Sequence, residues 1–590
     1  MKSSIRAWVF LTLLFFQLAS AELVYFSICL TWAKREVAGF TRDVILVNDQ
    51  YPGPPLDLVQ GDEVIFDVQN DCPFNVTVHF HGIEQRNTPW SDGVPGLSQR
   101  PIDEGDSFRY RWTAHQYGAY FYHAHHRGQL EDGLYGPIYI KPSNSEERPF
   151  SLITNNSSEL QAMLVAEEDT SPVLLSDWRL LASEQIWAAE EASGADSYCA
   201  NALLINGKGS VNCFTAAELD ALTTANQRYV LGNQSLTDIG CFPPDNVPTQ
   251  GNYTHDLSKL LPTMFYGCTP SQSPHEVFTV NKNDQYVSWD LTSAAGILDL
   301  IFSVDEHDMY VYAVDGRYIQ PVSVNAINLP SATRYSVLVP LNKTPGKYTI
   351  RMVSGTAQQT INTTATMQYE GRSQLNRPSN PWITVSGLNA TADTVFLDDS
   401  TIVPFPLIAP ASTADETFKL YIDHYNASYL WTLGNSSFNL ELEESQPLLF
   451  NQTAIPSDLI IRTKNGTWVD LVIQVGTPLQ PSHPIHKHSN KHFVIGQGNG
   501  TFTWDTVAEA ILETPSSFNL VNPPIRDTSG TPLNIISTWM VLRYQVVNPG
   551  AFLLHCHIQV HQSGGMALAI LDGVDAWPTV PAAYLHDSGF

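Results

Sequence analysis

Apolar and polar positions alternate in short runs along most of this chain. Residues 44–48, 63–68, 76–80, 107–112, 119–123 and 137–140 each read as a strand, punctuated by Gly, Pro, Asn and Asp. The same texture returns at 277–352, 418–475 and 535–572. Short strands at even spacing predict β-sandwiches or barrels rather than βαβ units. Two stretches break the pattern: a predicted helix over 183–191 and a Cys-bearing, loop-rich segment over 194–275. The N-terminus differs again. Lys2 and Arg6 precede an apolar run over 7–18, then Ala19-Ser20-Ala21, the pattern of a cleaved secretory leader. A dozen apolar residues are too few for a membrane anchor, which needs about 20.

The chain has 590 residues, which suggests three or four domains. We place boundaries near 150 and 370, giving a leader over 1–21 and domains over 22–150, 151–370 and 371–590. Asp and Glu outnumber Lys and Arg by 59 to 31, so the net charge is −28. That balance excludes a nucleic-acid or anionic-membrane partner, which requires a basic footprint. Asn-x-Ser/Thr sequons from Asn75 to Asn499 agree with a glycosylated protein, secreted or at the cell surface. Seven cysteines are an odd number. Cys29, Cys72, Cys199, Cys213, Cys241 and Cys268 can form up to three disulfides, with the pairing left open. Cys556 stands apart between two histidines.

Ten of the 18 histidines fall in four segments. These are His79-Phe80-His81, His123-Ala124-His125, His483-Pro484-Ile485-His486-Lys487-His488 and His555-Cys556-His557, with His561 and Met566 following. In a strand, residues i and i+2 share a face, about 6.6 Å apart at ~3.3 Å per residue. His555 and His557 then face one way and the Cys556 thiolate the other, so one tripeptide serves two metal sites and joins them. On the thiolate side, His561, Met566 and the spare His483 complete a His₂Cys set with a weak axial Met, the ligands of a blue-copper site. On the other side stand eight neutral imidazoles, two per segment and enough for three coppers. A closed structural zinc site of four ligands does not account for them.

These motifs resemble the multicopper oxidase family, especially fungal laccases and laccase-like oxidases. The likeness extends to 44–54, to Asp92-Gly93 and to Leu204-Ile205-Asn206-Gly207. It implies an all-β fold of three cupredoxin-like Greek-key β-sandwich domains, probed below. It implies four copper ions, with the cluster between the first and third domains. His483, Cys556 and His561 correspond to the type 1 ligands, with Met566 axial. His79 and His486 correspond to the type 2 pair. His81, His123 and His557 correspond to one type 3 copper, and His125, His488 and His555 to the other. The implied reaction is one-electron oxidation of small phenols at type 1 and reduction of dioxygen to water at the cluster. A monomer is expected, and coupling of polyketide phenols into pigments is one implied role.

Several positions depart from the family pattern. Arg100 stands where a disulfide cysteine is common, and Gln559 where many members carry an acid that supplies protons. Asp92 is then the remaining acid and our candidate partner for a ligand histidine. His486-Lys487-His488-Ser489-Asn490-Lys491-His492 resembles a pigment- and metabolite-associated subgroup. Asn201 lies near the family's phenol-binding acid, with Asp196 as the alternative. The tail, Asp587-Ser588-Gly589-Phe590, resembles one that plugs a solvent channel in some laccases. His115, His126, His492 and His586 match no ligand. A ferroxidase is the competing enzyme reading, and a non-catalytic copper-binding protein the competing class.

Overall fold

The computed structural model describes residues 22–371, 374–375, 377–476, 479–533, 536–585 and 589–590. The leader over 1–21, His586, Asp587 and Ser588 lie outside the described residues. The described residues form six sheets, two for each of three β-sandwiches. In the first, one sheet runs Phe40–Val47, Leu23–Val37, Glu63–Asp71, Ser107–Thr113. Its companion runs Leu56–Val59, Tyr135–Lys141, Gly118–Ala124, Val78–His81. The second and third sandwiches each combine a six-stranded and a five-stranded sheet.

Leu23–Val37 is a long strand, parallel to Glu63–Asp71 and antiparallel to Phe40–Val47. Its hairpin turns on two residues, Ala38 and Gly39, both at positive φ. That geometry matches the right-handed twist of the flanking strands. The strands predicted over 63–68, 107–112, 119–123 and 137–140 are all present, each one to three residues longer.

The predicted helix is Ser183–Ser193, closed by Gly194 in the left-handed conformation. A helix at Ser157–Glu168 was not foreseen. Its Asn156 cap accepts hydrogen bonds from the Ser158 and Glu159 amides. Its apolar residues do not line one face, since Met163 is buried while Leu164 and Val165 are exposed. The irregular segment over 194–275 is held by two disulfides, Cys199–Cys241 and Cys213–Cys268. Cys29 and Cys72 are unbridged. The apolar cores of the first and third sandwiches run together, whereas the second has its own. The shared core fixes the seam between first and third sandwiches, where the histidines lie. Among the described residues, no helix is long and apolar enough to cross a membrane.

Candidate metal centre

Strand register brings the four motifs together in two halves. Val78–His81 pairs with Gly118–Ala124 so that His79 lies directly opposite His123. Pro484–Lys487 pairs with Gly550–Cys556 so that His486 lies opposite His555. His125, His488 and His557 follow just beyond their strands. The halves meet across the seam, with the ring of His81 stacked 3.8 Å from that of His486 and the ring of His79 4.0 Å from that of His488.

Each of the eight imidazoles is anchored through one nitrogen, which leaves the other for the interior. His79 Nδ1 donates to the Asp92 carbonyl at 2.6 Å, and His486 Nδ1 to the Asp527 carbonyl at 2.9 Å. His123 and His555 Nδ1 donate to the carbonyls of Ala124 and Cys556. His488 Nδ1 lies 2.9 Å from Asp92 Oδ2, His557 Nδ1 3.1 Å from Ser331 Oγ, and His125 Nδ1 3.4 Å from Gln562 Nε2. His81 is turned the other way, with Nε2 on Thr528 Oγ1 at 3.1 Å and Nδ1 left over. Such outer partners set the tautomer and aim the ring. Gly93 makes the Asp92 contact possible. It sits at φ +80°, and a side chain there would collide with the Val78 carbonyl.

In seven of the rings the outward nitrogen donates, so the inward nitrogen is an acceptor; His125 is the exception, its Nδ1 accepting from the Gln562 amide. His125 and His555 Nε2 are 3.4 Å apart, His488 and His555 Nε2 3.2 Å, and His123 and His557 Nε2 3.4 Å. His79 Nε2, His81 Nδ1 and His486 Nε2 are buried without any partner. Each such atom costs about 1–3 kcal/mol unless something takes its lone pair. A proton is disfavoured: burial holds His81, His123, His125, His486, His488 and His557 well below the usual histidine range, and lowers His555 to about 3. Bound cations would satisfy all of these atoms together. Among the described residues the donors fall into four overlapping groups: His79, His81, His486; His81, His123, His557; His125, His488, His555; and His79, Asp92, His488.

Cys556 points to the opposite side. Its Sγ lies 3.9 Å from His483 Nδ1 and 3.7 Å from His561 Nδ1, and the two nitrogens are 3.2 Å apart. A point about 2.1 Å from all three lies within that triangle, the length of a metal–imidazole bond. Burial pushes the Cys556 thiol up, so a bound cation is what would keep it a thiolate. Met566 is fully buried and tied to both neighbours. Its carbonyl accepts from the Cys556 amide at 3.0 Å, and its amide donates to the His561 carbonyl at 2.9 Å.

Two buried acids shape the seam. Asp92 bridges His79 and His488, and its burial raises its pKa. Asp527 carries no motif signal and was not foreseen. Its carboxylate lies 3.4 Å from His81 Nε2 and pairs with Arg334 at 2.5 and 2.7 Å and Lys491 at 2.6 Å. Burial alone would push Asp527 up, but Arg334 and Lys491 hold it well below the usual carboxylate range. Arg334 comes from the second sandwich, so this ion pair locks all three sandwiches around the site. Lys487, between two cluster histidines, is buried and bonded to Asp572 at 3.3 Å.

Near His561 the two candidate residues separate. Asp196 Oδ2 lies 3.8 Å from His561 Nε2. Asn201 instead serves the backbone, accepting from the Leu180 amide and donating to the Thr263 carbonyl. Of the unmatched histidines, His115 is exposed, whereas His126 and His492 are buried on Glu444 and Ser529. Gln559 donates to the His557 carbonyl at 3.2 Å. Phe590, at the end of the tail, lies over the Arg109 guanidinium.

A cysteine with two imidazoles on one side and eight converging imidazoles on the other, on a scaffold of three sandwiches, defines a copper oxidoreductase of two linked sites. The chain belongs to the multicopper oxidase family. Three models of that description match residues 30–145, 169–372 and 429–576. The chain is 43% identical to laccase abr2 of Aspergillus fumigatus, over 96% of this chain and 97% of that protein. Its fold is similar to the laccase of Botrytis aclada, with a TM-score of 0.72 at 23% identity over 96% and 90% of the two chains. It is also similar to Fet3p, described as a multicopper oxidase of iron import, with a TM-score of 0.67 at 20% identity over 96% and 94%. The protein is thus a copper-dependent oxidoreductase that uses dioxygen, and the fold is the cupredoxin-like arrangement that the resemblance implied.

Proposed function

We propose that this chain is a secreted laccase-like oxidase of electron-rich phenols. His483, Cys556 and His561, with Met566 beside them, would hold the type 1 copper. His79 and His486 would hold type 2. His81, His123 and His557 would hold one type 3 copper, and His125, His488 and His555 the other. The observation that carries the reading is the split of His555-Cys556-His557, whose thiol and imidazoles join two separate donor sets through covalent bonds. Copper, when bound, supplies one-electron oxidation at the thiolate site and four-electron reduction of dioxygen at the cluster.

The protein's own groups set the rest. A phenol gives up one proton with each electron. Asp196, buried beside His561 with Oδ1 unpartnered, is placed to accept that proton. Asp92 holds the His79 and His488 rings and keeps a carboxylate at the cluster wall. The leader over 1–21, the two disulfides and the sequons support secretion. A ferroxidase would need several carboxylates gathered at His483 and His561 to favour Fe(III), and Asp196 is the acid that forms a close contact there. The test is oxygen uptake with a methoxyphenol, Fe(II) and ascorbate in parallel. Phenol turnover well above Fe(II) turnover supports the proposal, and Fe(II) oxidation alone overturns it.

A further inference from the structure

Dioxygen reduction consumes four protons, and Gln559, two residues from His557, cannot supply one. A narrow cavity ends at that glutamine. Its lining includes Arg127, Glu131, Arg179, Glu184, Glu190 and Gln559, and it offers about 20 Å³ to water centres, room for one or two waters. Of its lining, Glu184 and Arg127 pair at 3.1 Å, with Glu184 exposed and Arg127 half-buried. Inside, both acids are buried and each has one carboxylate oxygen without a partner. Glu131 Oε2 accepts from Arg179 Nε at 3.0 Å, and Oε1 is unpartnered. Glu190 Oε1 accepts from the Ser197 amide at 3.0 Å, and Oε2 is unpartnered.

The inner end touches the ligand turn. The Gln559 amide donates to the Gly296 carbonyl at 2.7 Å, and its side chain to the His557 carbonyl. The Glu131 side chain occupies the place where a side chain at residue 296 would go. Glu131 therefore packs against the same glycine that holds Gln559. It comes from the first sandwich and Glu190 from the helix Ser183–Ser193, both far in sequence from Gln559.

We propose that Glu131, backed by Glu190, loads the protons consumed in dioxygen reduction. The inference rests on the copper assignment above. In balance, dioxygen takes four electrons from four substrate molecules and four protons from solvent, and yields two waters. The two carboxylates take up and release protons without net change. The charges facing Glu131 are Arg179, Asp177 and Asp132, with Arg42 on Asp132; those facing Glu190 are Asp196 and Arg179. Burial raises Glu131 to about 7, with Arg179 opposing and Asp177 and Asp132 adding, and burial next to Asp196 raises Glu190 well above the usual carboxylate range. A group near 7 can both give and take a proton at neutral pH.

The test uses the copper-loaded enzyme, reduced and then mixed with dioxygen. Glu131→Gln is expected to slow reoxidation about tenfold or more and to remove the fall in rate as pH rises through 7. Glu190→Gln follows in the same direction. Copper content and anaerobic bleaching by phenol stay at wild-type values. Adding Gln559→Glu to Glu131→Gln restores the rate. Independently, the wild-type minus Glu131→Gln infrared difference spectrum of the copper-depleted protein should show a protonated carboxyl band that titrates near neutral pH, over the bands that Glu443, Asp290 and Asp299 give in both proteins. Full copper, normal bleaching and an unchanged reoxidation rate and pH profile in both Gln variants overturn the proposal. If Glu131→Gln loses copper, Glu131→Asp and Glu190→Gln decide by the same readouts. If the wild type itself holds about one copper, the assignment beneath has failed, and the infrared titration alone decides whether Glu131 carries the proton.

Discussion

Replacing Arg334 with Met should unsettle one side of the cluster and spare the blue site. The guanidinium makes two hydrogen bonds to Asp527, at 2.5 and 2.7 Å, and both side chains are fully buried. Its removal leaves the Asp527 charge to Lys491 alone. Stripping one partner from a buried ion pair costs about 3–5 kcal/mol. Because Lys491 remains at 2.6 Å, we expect the low end, about 3 kcal/mol, which is more than a hundredfold in the folding equilibrium. The Asp527 carbonyl also anchors His486, and its carboxylate lies against His81. Loss of such outer partners weakens metal binding about 10–100-fold. The assay is urea unfolding of the copper-loaded protein together with its type 2 paramagnetic signal and blue absorption. The first unfolding transition should shift to lower urea, and the type 2 signal should fall while the blue band stays. Asp527→Asn in the Arg334→Met background should recover part of the loss, because the fully buried Asp527 charge is then gone and only the Lys491 ammonium, 9% exposed, is left without its partner. An unchanged urea midpoint with a full type 2 signal would refute the reasoning.

Three further outcomes are expected. Cys556→Ser should abolish the intense blue absorption and phenol oxidation while copper remains in the cluster; a variant that still oxidises phenols contradicts the type 1 assignment. Asp196→Asn should lower kcat/KM for phenols on the order of tenfold and leave a reductant that releases no proton unaffected, as measured by steady-state oxygen uptake. Stability should decline as pH rises through 7, because burial raises Glu131, Glu443, Asp290 and Asp299 to about 7. Each of these acids keeps its proton in the folded state where the unfolded chain has lost it. The sign is therefore a stabilisation present at low pH and lost through 7, on the order of 1 kcal/mol per group between pH 6.5 and 8. Below about 6.5 the buried imidazoles oppose this trend, so thermal midpoints should be compared only above that pH, and a midpoint that rises from 6.5 to 8 would be inconsistent with the shifts.

What could be read from the sequence was whatever is local. Alternation along a strand puts His79 and His81 on one face and separates Cys556 from His555 and His557, so the two donor sets were visible before any fold was known. Ser183–Ser193 announced itself by its run of Glu, Gln and Ala. Ser157–Glu168 did not, because its apolar residues do not gather on a face. Leu23–Val37 directly follows the leader, and its apolar start and charged Lys34-Arg35-Glu36 end obscure a single strand. The acids around the site were harder still. Asp527 and Arg334 are 193 residues apart, and nothing in either neighbourhood signals the other. Asp196 and Asn201 were both open because spacing alone does not say which side chain the backbone will claim. Glu131 and Glu190 meet Gln559 through three different parts of the chain.

The central claim is that eight histidines form a copper cluster wired to a separate thiolate site. Copper per chain, measured on the purified protein by elemental analysis alongside the blue absorption, tests it most directly. The account predicts close to four coppers per chain with an intense blue band. A value near one, with the blue band intact, would contradict it.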